Sequence, residues 1–95
     1  MNELESLRKE IDLIDREMAS LFDKRMDVVK RIKKYKNNNN LKIRDLEREN
    51  QIIKTNEMYV KDEYQRYYHS FIVNILAQSR KLQAKKSRKV NNESK

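Results

Sequence analysis

The fold of this chain is decided by residues 2–36, which read NELESLRKEIDLIDREMASLFDKRMDVVKRIKKYK. Apolar residues recur along this stretch at steps of three and four, which is the pattern of one long amphipathic helix. The apolar stripe consists of Leu4, Leu7, Ile11, Ile14, Met18, Leu21, Val28, Ile32 and Tyr35. We therefore predict a helix from about residue 3 to about residue 36, with one face that another surface must cover.

Arg25 interrupts this stripe at a position where a leucine would continue it. A guanidinium group on an apolar face is costly unless something anionic meets it. Lys36 lies on the same side about three turns later, roughly 16 Å further along the helix axis. Because both side chains are long, they can converge on one small anion between them.

A second helix is predicted after the four asparagines at 37–40, which favour a loop. We expect it to begin within residues 43–45, led in by Ile43, and to end within residues 54–58. One of its faces is predicted to carry Leu46, Asn50 and Ile53, and the neighbouring face Asp45, Arg48, Glu49 and Ile52. Asp45 also suits the role of helix N-cap, and Arg48 and Glu49 suit a solvated charged face.

A third helix is predicted from about residue 62 to about residue 85. Its core face is expected to consist of Tyr64, Tyr68, Phe71, Ile75 and Leu82. A second line on the same helix consists of Ile72, Leu76, Ser79 and Gln83. Since buried polar groups need partners, Ser79 and Gln83 are expected either to cap a structural element or to face a ligand.

The composition agrees with an all-α fold of a single domain. The 95 residues include no glycine and no proline, and 40% of them are charged. The chain has no cysteine and a single histidine, His69, so we expect no disulfide, no metal centre and no cofactor. We recognise no signal peptide and no apolar run long enough to span a membrane, so a cytoplasmic location is expected.

The net charge of +8 is distributed unevenly along the sequence. Residues 85–95 carry five basic side chains and one acidic side chain, which is half of the excess. We expect this polar tail to be disordered and solubilising. Contact of the tail with nucleic acid or another acidic surface stays open as the alternative.

Three segments together resemble the all-α chorismate mutases of the AroQ class. They are LRKEIDLIDREMASLFDKRMDVVKRIKKYK at 7–36, IRDLERE at 43–49 and SRKLQ at 79–83. The resemblance covers roughly residues 4–83, most of the predicted helical domain at 1–84, and leaves the tail outside. It implies three helices in an entwined homodimeric bundle, and the rearrangement of chorismate to prephenate on the route to phenylalanine and tyrosine.

The resemblance also implies a role for each matching residue. Arg25 and Arg8, the latter from the partner chain, would bind the substrate carboxylates, and Lys36 and Gln83 would donate to the ether oxygen of the breaking bond. Asp45 and Glu49 would orient the ring hydroxyl, and Arg48 and Ser79 would complete the polar wall. The candidate catalytic residues are thus Lys36, Gln83 and Arg25, without metal or cofactor.

Two alternatives remain at this point. An isochorismate pyruvate lyase uses the same scaffold and a substrate with the same carboxylates. A basic helical module that binds nucleic acid would explain the charge and the tyrosines. It would not explain why Arg25 interrupts an apolar stripe, because phosphate contacts lie on exposed faces.

Overall fold

The computed structural model describes residues 2–42 and 44–85, and these residues form the three predicted helices. Helix α1 spans Glu3–Asn38, α2 spans Leu46–Glu57 and α3 spans Gln65–Ala84. A 3-10 turn at Asp62–Tyr64 leads into α3. Within the described part of the chain there is no strand, so the prediction of an all-α fold is confirmed.

Short polar side chains start the first two helices, as the sequence predicts for the second. The side chain of Asn2 accepts a hydrogen bond of 2.8 Å from the backbone N–H of Glu5. Asp45 Oδ1 accepts one of 3.0 Å from the backbone N–H of Arg48. Each cap satisfies an N–H group that has no partner inside its own helix.

Helix α1 is two residues longer than predicted, so the assignment of Asn37 and Asn38 to a loop is wrong. The helix ends because the side chain of Asn39 turns back and donates to the backbone carbonyl of Tyr35 over 2.8 Å. Asn40 then adopts a positive φ of 56°, a left-handed conformation that asparagine tolerates better than most residues. The asparagine run therefore supplies both the last helical turn and the chain reversal.

Helix α3 is the central element, because it packs against both α1 and α2. The apolar side chains buried in this contact are Val29 of α1 and Ile72 and Leu76 of α3. Ser79 continues the same line one turn beyond Leu76 and is also buried. The core of one chain thus lies between the second half of α1 and the part of α3 from Ile72 onward.

The core face predicted for α3 differs in part from the observed one. Tyr64 and Phe71 are about half exposed, and the buried line is the one that begins with Ile72. Leu46 of α2 is 58% exposed, while Ile52 lies on the face turned toward α3. Periodicity identifies two adjacent apolar lines on a helix. The rotation of the helix about its axis against its neighbours decides which of the two lines is more deeply buried.

The first half of α1 extends away from the other two helices. Along residues 3–24 every side chain is exposed, including the apolar stripe identified in the sequence. The fractional exposure of Leu4, Leu7, Ile11, Ile14, Met18 and Leu21 lies between 46% and 61%. The chain is correspondingly elongated, with principal extents of 60 × 32 × 16 Å.

Some predictions fall on residues that the structure does not describe. These are the lead-in at Ile43 and the tail beyond Lys85. Among the helices that are described, none has a stretch of the length and apolar character required to cross a lipid bilayer.

Candidate active site

A cavity of about 350 Å³ opens where the second half of α1, the start of α2 and the end of α3 meet. Its polar lining contains four cations, two carboxylates, a hydroxyl and an amide, and its apolar lining is aliphatic. The polar residues are Arg25, Lys36, Arg48, Arg80, Asp45, Glu49, Ser79 and Gln83, and the apolar ones are Val28, Val29, Ile32, Ile52 and Leu76. The excess of positive charge suits an anionic ligand.

Arg25, the residue that interrupts the apolar stripe, is held by a side chain of α3. Its Nη1 donates a hydrogen bond of 2.5 Å to Ser79 Oγ. Ser79 Oγ in turn donates to the backbone carbonyl of Ile75, one turn earlier in α3, over 3.0 Å. The buried hydroxyl is therefore satisfied on both sides, and it orients a half-buried guanidinium group at the cavity wall.

Lys36 and Gln83 lie at the ends of their helices, on the same cavity, and both are partly buried. The end of α3 is attached to α1 by Lys33, which lies one turn before Lys36. Its Nζ donates to the backbone carbonyls of Leu82 and Lys85, the residues that flank Gln83 and its neighbour Ala84. A cation at the C-terminus of a helix also interacts favourably with the helix dipole.

Asp45 and Arg48 lie at the more exposed edge of the cavity. Asp45 acts as the N-cap of α2, so one of its carboxylate oxygens is used by the backbone. Arg48 Nη1 donates to Gln51 Oε1 on the same helix over 3.0 Å. Asp45 is therefore the helix N-cap and Arg48 lies on an exposed polar face, as predicted, and both residues also line the cavity.

Glu49 makes the closest ion pair among the described residues. Its Oε1 accepts a hydrogen bond of 2.7 Å from Arg80 Nη1 of α3, and Arg44 Nη2 is 4.0 Å from the same oxygen. Arg80 was missed in the sequence, where it appears as one of several basic residues near the end of the chain. The available signal was its spacing, because Arg80 follows Leu76 by four residues and therefore lies close to the buried line of α3.

Arg8 is the one predicted site residue that the structure does not bring to the cavity. It lies on the exposed first half of α1, 17 residues before Arg25 in sequence, which is about 25 Å along a helix axis. An arginine side chain cannot span that distance. Within one chain the site therefore contains seven of the eight predicted residues, and Arg80 in addition.

The sequence matches the family model of chorismate mutase type II over residues 7–84. The match covers α1 from Leu7 onward, all of α2 and α3, and every residue that lines the cavity. The chain belongs to the chorismate mutase type II family. Neither a curated protein nor a solved structure matches the sequence.

Family membership assigns a reaction to this chain. The enzyme is an isomerase whose substrate is chorismate, a small dicarboxylate, and whose product is prephenate. A cationic, partly enclosed cavity of this size is consistent with such a substrate. The readings as a lyase or as a nucleic-acid-binding module are not favoured over this one.

Proposed function

We propose that the enzyme accelerates the rearrangement by fixing the reactive conformer of chorismate and stabilising the charge that develops on its ether oxygen. The reaction is pericyclic, since a C–O bond breaks as a C–C bond forms within one molecule. It requires neither a nucleophile nor obligatory proton transfer, so positioning and electrostatics suffice. The observation that carries the proposal is the convergence of Arg25, Lys36, Ser79 and Gln83 on one cavity.

Arg25 is proposed to bind a substrate carboxylate. Its guanidinium group is oriented by Ser79, which reduces the freedom that would be lost on binding. Arginine matches a carboxylate with two parallel hydrogen bonds, which fixes orientation as well as charge. Arg48 lies at the open side of the same cavity and is proposed to complete the polar wall.

Lys36 and Gln83 are proposed to donate hydrogen bonds to the ether oxygen. Negative charge builds on this oxygen as the C–O bond breaks, so these donors bind the transition state more tightly than the substrate. The two residues come from different helices, and Lys33 links the ends of those helices. The distance between Lys36 and Gln83 is thus fixed by a tertiary contact between their helices rather than by a flexible loop.

Asp45 and Glu49 are proposed to orient the ring hydroxyl of chorismate. A carboxylate accepts a hydrogen bond from a hydroxyl, but it also repels a dicarboxylate substrate. The four cations around the cavity outnumber these two carboxylates, which offsets the repulsion. Glu49 is the better placed of the two, since its side chain is only 16% exposed.

A homodimer with shared active sites is part of the proposal. Six apolar side chains on the first half of α1 are about half exposed in one chain, and a second copy of α1 would cover them. The same copy would supply Arg8 to the cavity of its partner. An isologous interface of this kind generates two equivalent sites, each with an arginine from both chains.

The decisive experiment is an assay of purified enzyme with chorismate and, separately, with isochorismate. We expect chorismate to be consumed with formation of prephenate, and Lys36→Ala to lower kcat by about 10²–10³-fold. Lys34→Ala, on the exposed side of the same helix, should leave kcat unchanged. Release of pyruvate from isochorismate at a higher kcat/KM would contradict the proposal.

Cytoplasmic location stays a prediction, which cell fractionation tests.

A further inference from the structure

Arg80 occupies a position from which it can control the chemistry of Glu49. It lies on α3 directly after Ser79 and three residues before Gln83, so it belongs to the turn that carries both. Its side chain is 30% exposed and lines the cavity.

The pair between Arg80 and Glu49 connects two walls of the cavity. Glu49 belongs to α2 and Arg80 to α3, 31 residues apart in sequence, and the distance of 2.7 Å is that of a charge-assisted hydrogen bond. Both partners are mostly shielded from solvent, so the interaction is screened less than a surface ion pair.

The contact is made at one defined oxygen of the carboxylate. Arg80 bonds to Oε1, and Arg44 approaches the same oxygen from the more exposed side. With Oε1 fixed, the rotation of the carboxylate about its last bond is restricted. The direction in which Glu49 can accept a hydrogen bond from a ligand is then determined by Arg80.

We propose that Arg80 is a positioning residue, which orients Glu49 toward the ring hydroxyl of the substrate and neutralises its charge in a cavity that binds a dicarboxylate. The inference rests on the proposed role of Glu49. It adds a residue outside the set implied by resemblance, and it explains how a carboxylate is tolerated where a dianion must bind.

Kinetics of Arg80→Ala, Arg80→Lys and the control Lys81→Ala test this inference. We expect Arg80→Ala to raise KM by about tenfold, because the loss of one charge-assisted hydrogen bond is worth about that factor. Arg80→Lys keeps the positive charge but loses the planar guanidinium group, so its KM should lie between those of wild type and Arg80→Ala. Lys81→Ala, at the exposed neighbouring position, should match wild type.

KM separates positioning from a purely structural role. If Arg80 only stabilised the packing of α2 on α3, its removal would lower the melting temperature and the amount of folded enzyme. The apparent kcat would then fall, but KM would stay constant, because KM does not depend on enzyme concentration. An unchanged KM in folded Arg80→Ala and Arg80→Lys overturns the inference.

A double-mutant cycle shows whether Arg80 acts through Glu49. In the Glu49→Gln background, Arg80→Ala should change kcat/KM by less than about twofold, since the group to be oriented is no longer charged. Strictly additive effects would overturn the inference while leaving the mutase reaction intact. Failure of wild-type enzyme to rearrange chorismate would instead overturn the proposed function and the inference together.

Discussion

Arg25 of α1 and Ser79 of α3 are joined by a hydrogen bond across 54 positions of sequence. The contact resolves the conflict that makes Arg25 conspicuous in the sequence, a guanidinium group on an apolar stripe. The partner is neutral, however, so the charge of Arg25 is not cancelled by the protein within this pair. The hydroxyl holds the arginine in place and leaves its charge for an anion.

Ser79→Ala is therefore expected to weaken substrate binding more than it weakens the fold. Loss of the hydroxyl removes the group that orients Arg25, and we expect KM to rise by about tenfold at a cost of about 1 kcal/mol in the free energy of unfolding. Steady-state kinetics and urea denaturation measure the two effects. Ser70→Ala, an exposed serine on the same helix, is the control and should change neither.

Lys33→Met is expected to destabilise the end of α3. Methionine keeps an unbranched apolar side chain but loses the ammonium group that bonds to the carbonyls of Leu82 and Lys85. We expect a loss of about 1 kcal/mol in unfolding free energy and a lower kcat, since Gln83 lies between these carbonyls. Lys34→Met is the matched control at an exposed position. Equal effects of the two substitutions would contradict the role of Lys33.

Periodicity and charge together account for what could be predicted from the sequence. The stripe from Leu4 to Tyr35 predicts α1 almost to its end, because amphipathic periodicity over many turns is hard to mistake for another structure. Arg25 and Ser79 could be selected because each places a polar group in an apolar line. Such exceptions are informative, since a buried polar group must be explained by a partner.

Tertiary packing accounts for what could not be predicted. The burial of the Ile72 line rather than the Phe71 line depends on the rotation of α3 against α1, which local sequence does not encode. Arg80 lies among other basic residues, and its spacing from Leu76 alone does not reveal that its ion-pair partner is Glu49 of α2. The position of Arg8 cannot be derived from the packing of one chain, because the site proposed for it requires a second chain.

Gln83→Glu is expected to make the reaction depend on pH. The amide of Gln83 donates a hydrogen bond at any ordinary pH, whereas a glutamate donates only when it is protonated. Once ionised, it would place negative charge beside an oxygen that is itself becoming negative. Activity of this variant should therefore fall as pH rises through the pKa of the introduced carboxyl, which is ~4.3 when free, raised by burial and lowered by nearby cations.

The measurement is kcat from about pH 4.5 to about pH 8 for wild type, Gln83→Glu and Gln83→Ala. Gln83→Ala should be poor throughout, by about 10²–10³-fold, because it has no donor at all. Gln78→Glu, which adds the same charge at an exposed position of α3, is the control for a general effect of charge. A pH profile of Gln83→Glu that coincides with that of wild type would contradict the catalytic role proposed for Gln83.

A shared active site predicts that two inactive variants restore activity when their subunits exchange. In a mixed dimer of Arg8→Ala and Arg25→Ala chains, one cavity has Arg25 from its own chain and Arg8 from its partner. The other cavity lacks both arginines. Random exchange of equal amounts makes half of the dimers mixed, so about a quarter of wild-type activity should appear.

Mixing Arg25→Ala with Lys36→Ala is the matched control. Both residues line the cavity of a single chain, so every cavity in that mixture lacks one of them and no activity should return. Arg8, by contrast, lies about 25 Å along α1 from Arg25 and can complete a site only from another chain. Equal recovery in both mixtures, or full activity of a monomer in light scattering, would show that the active site is not shared between chains.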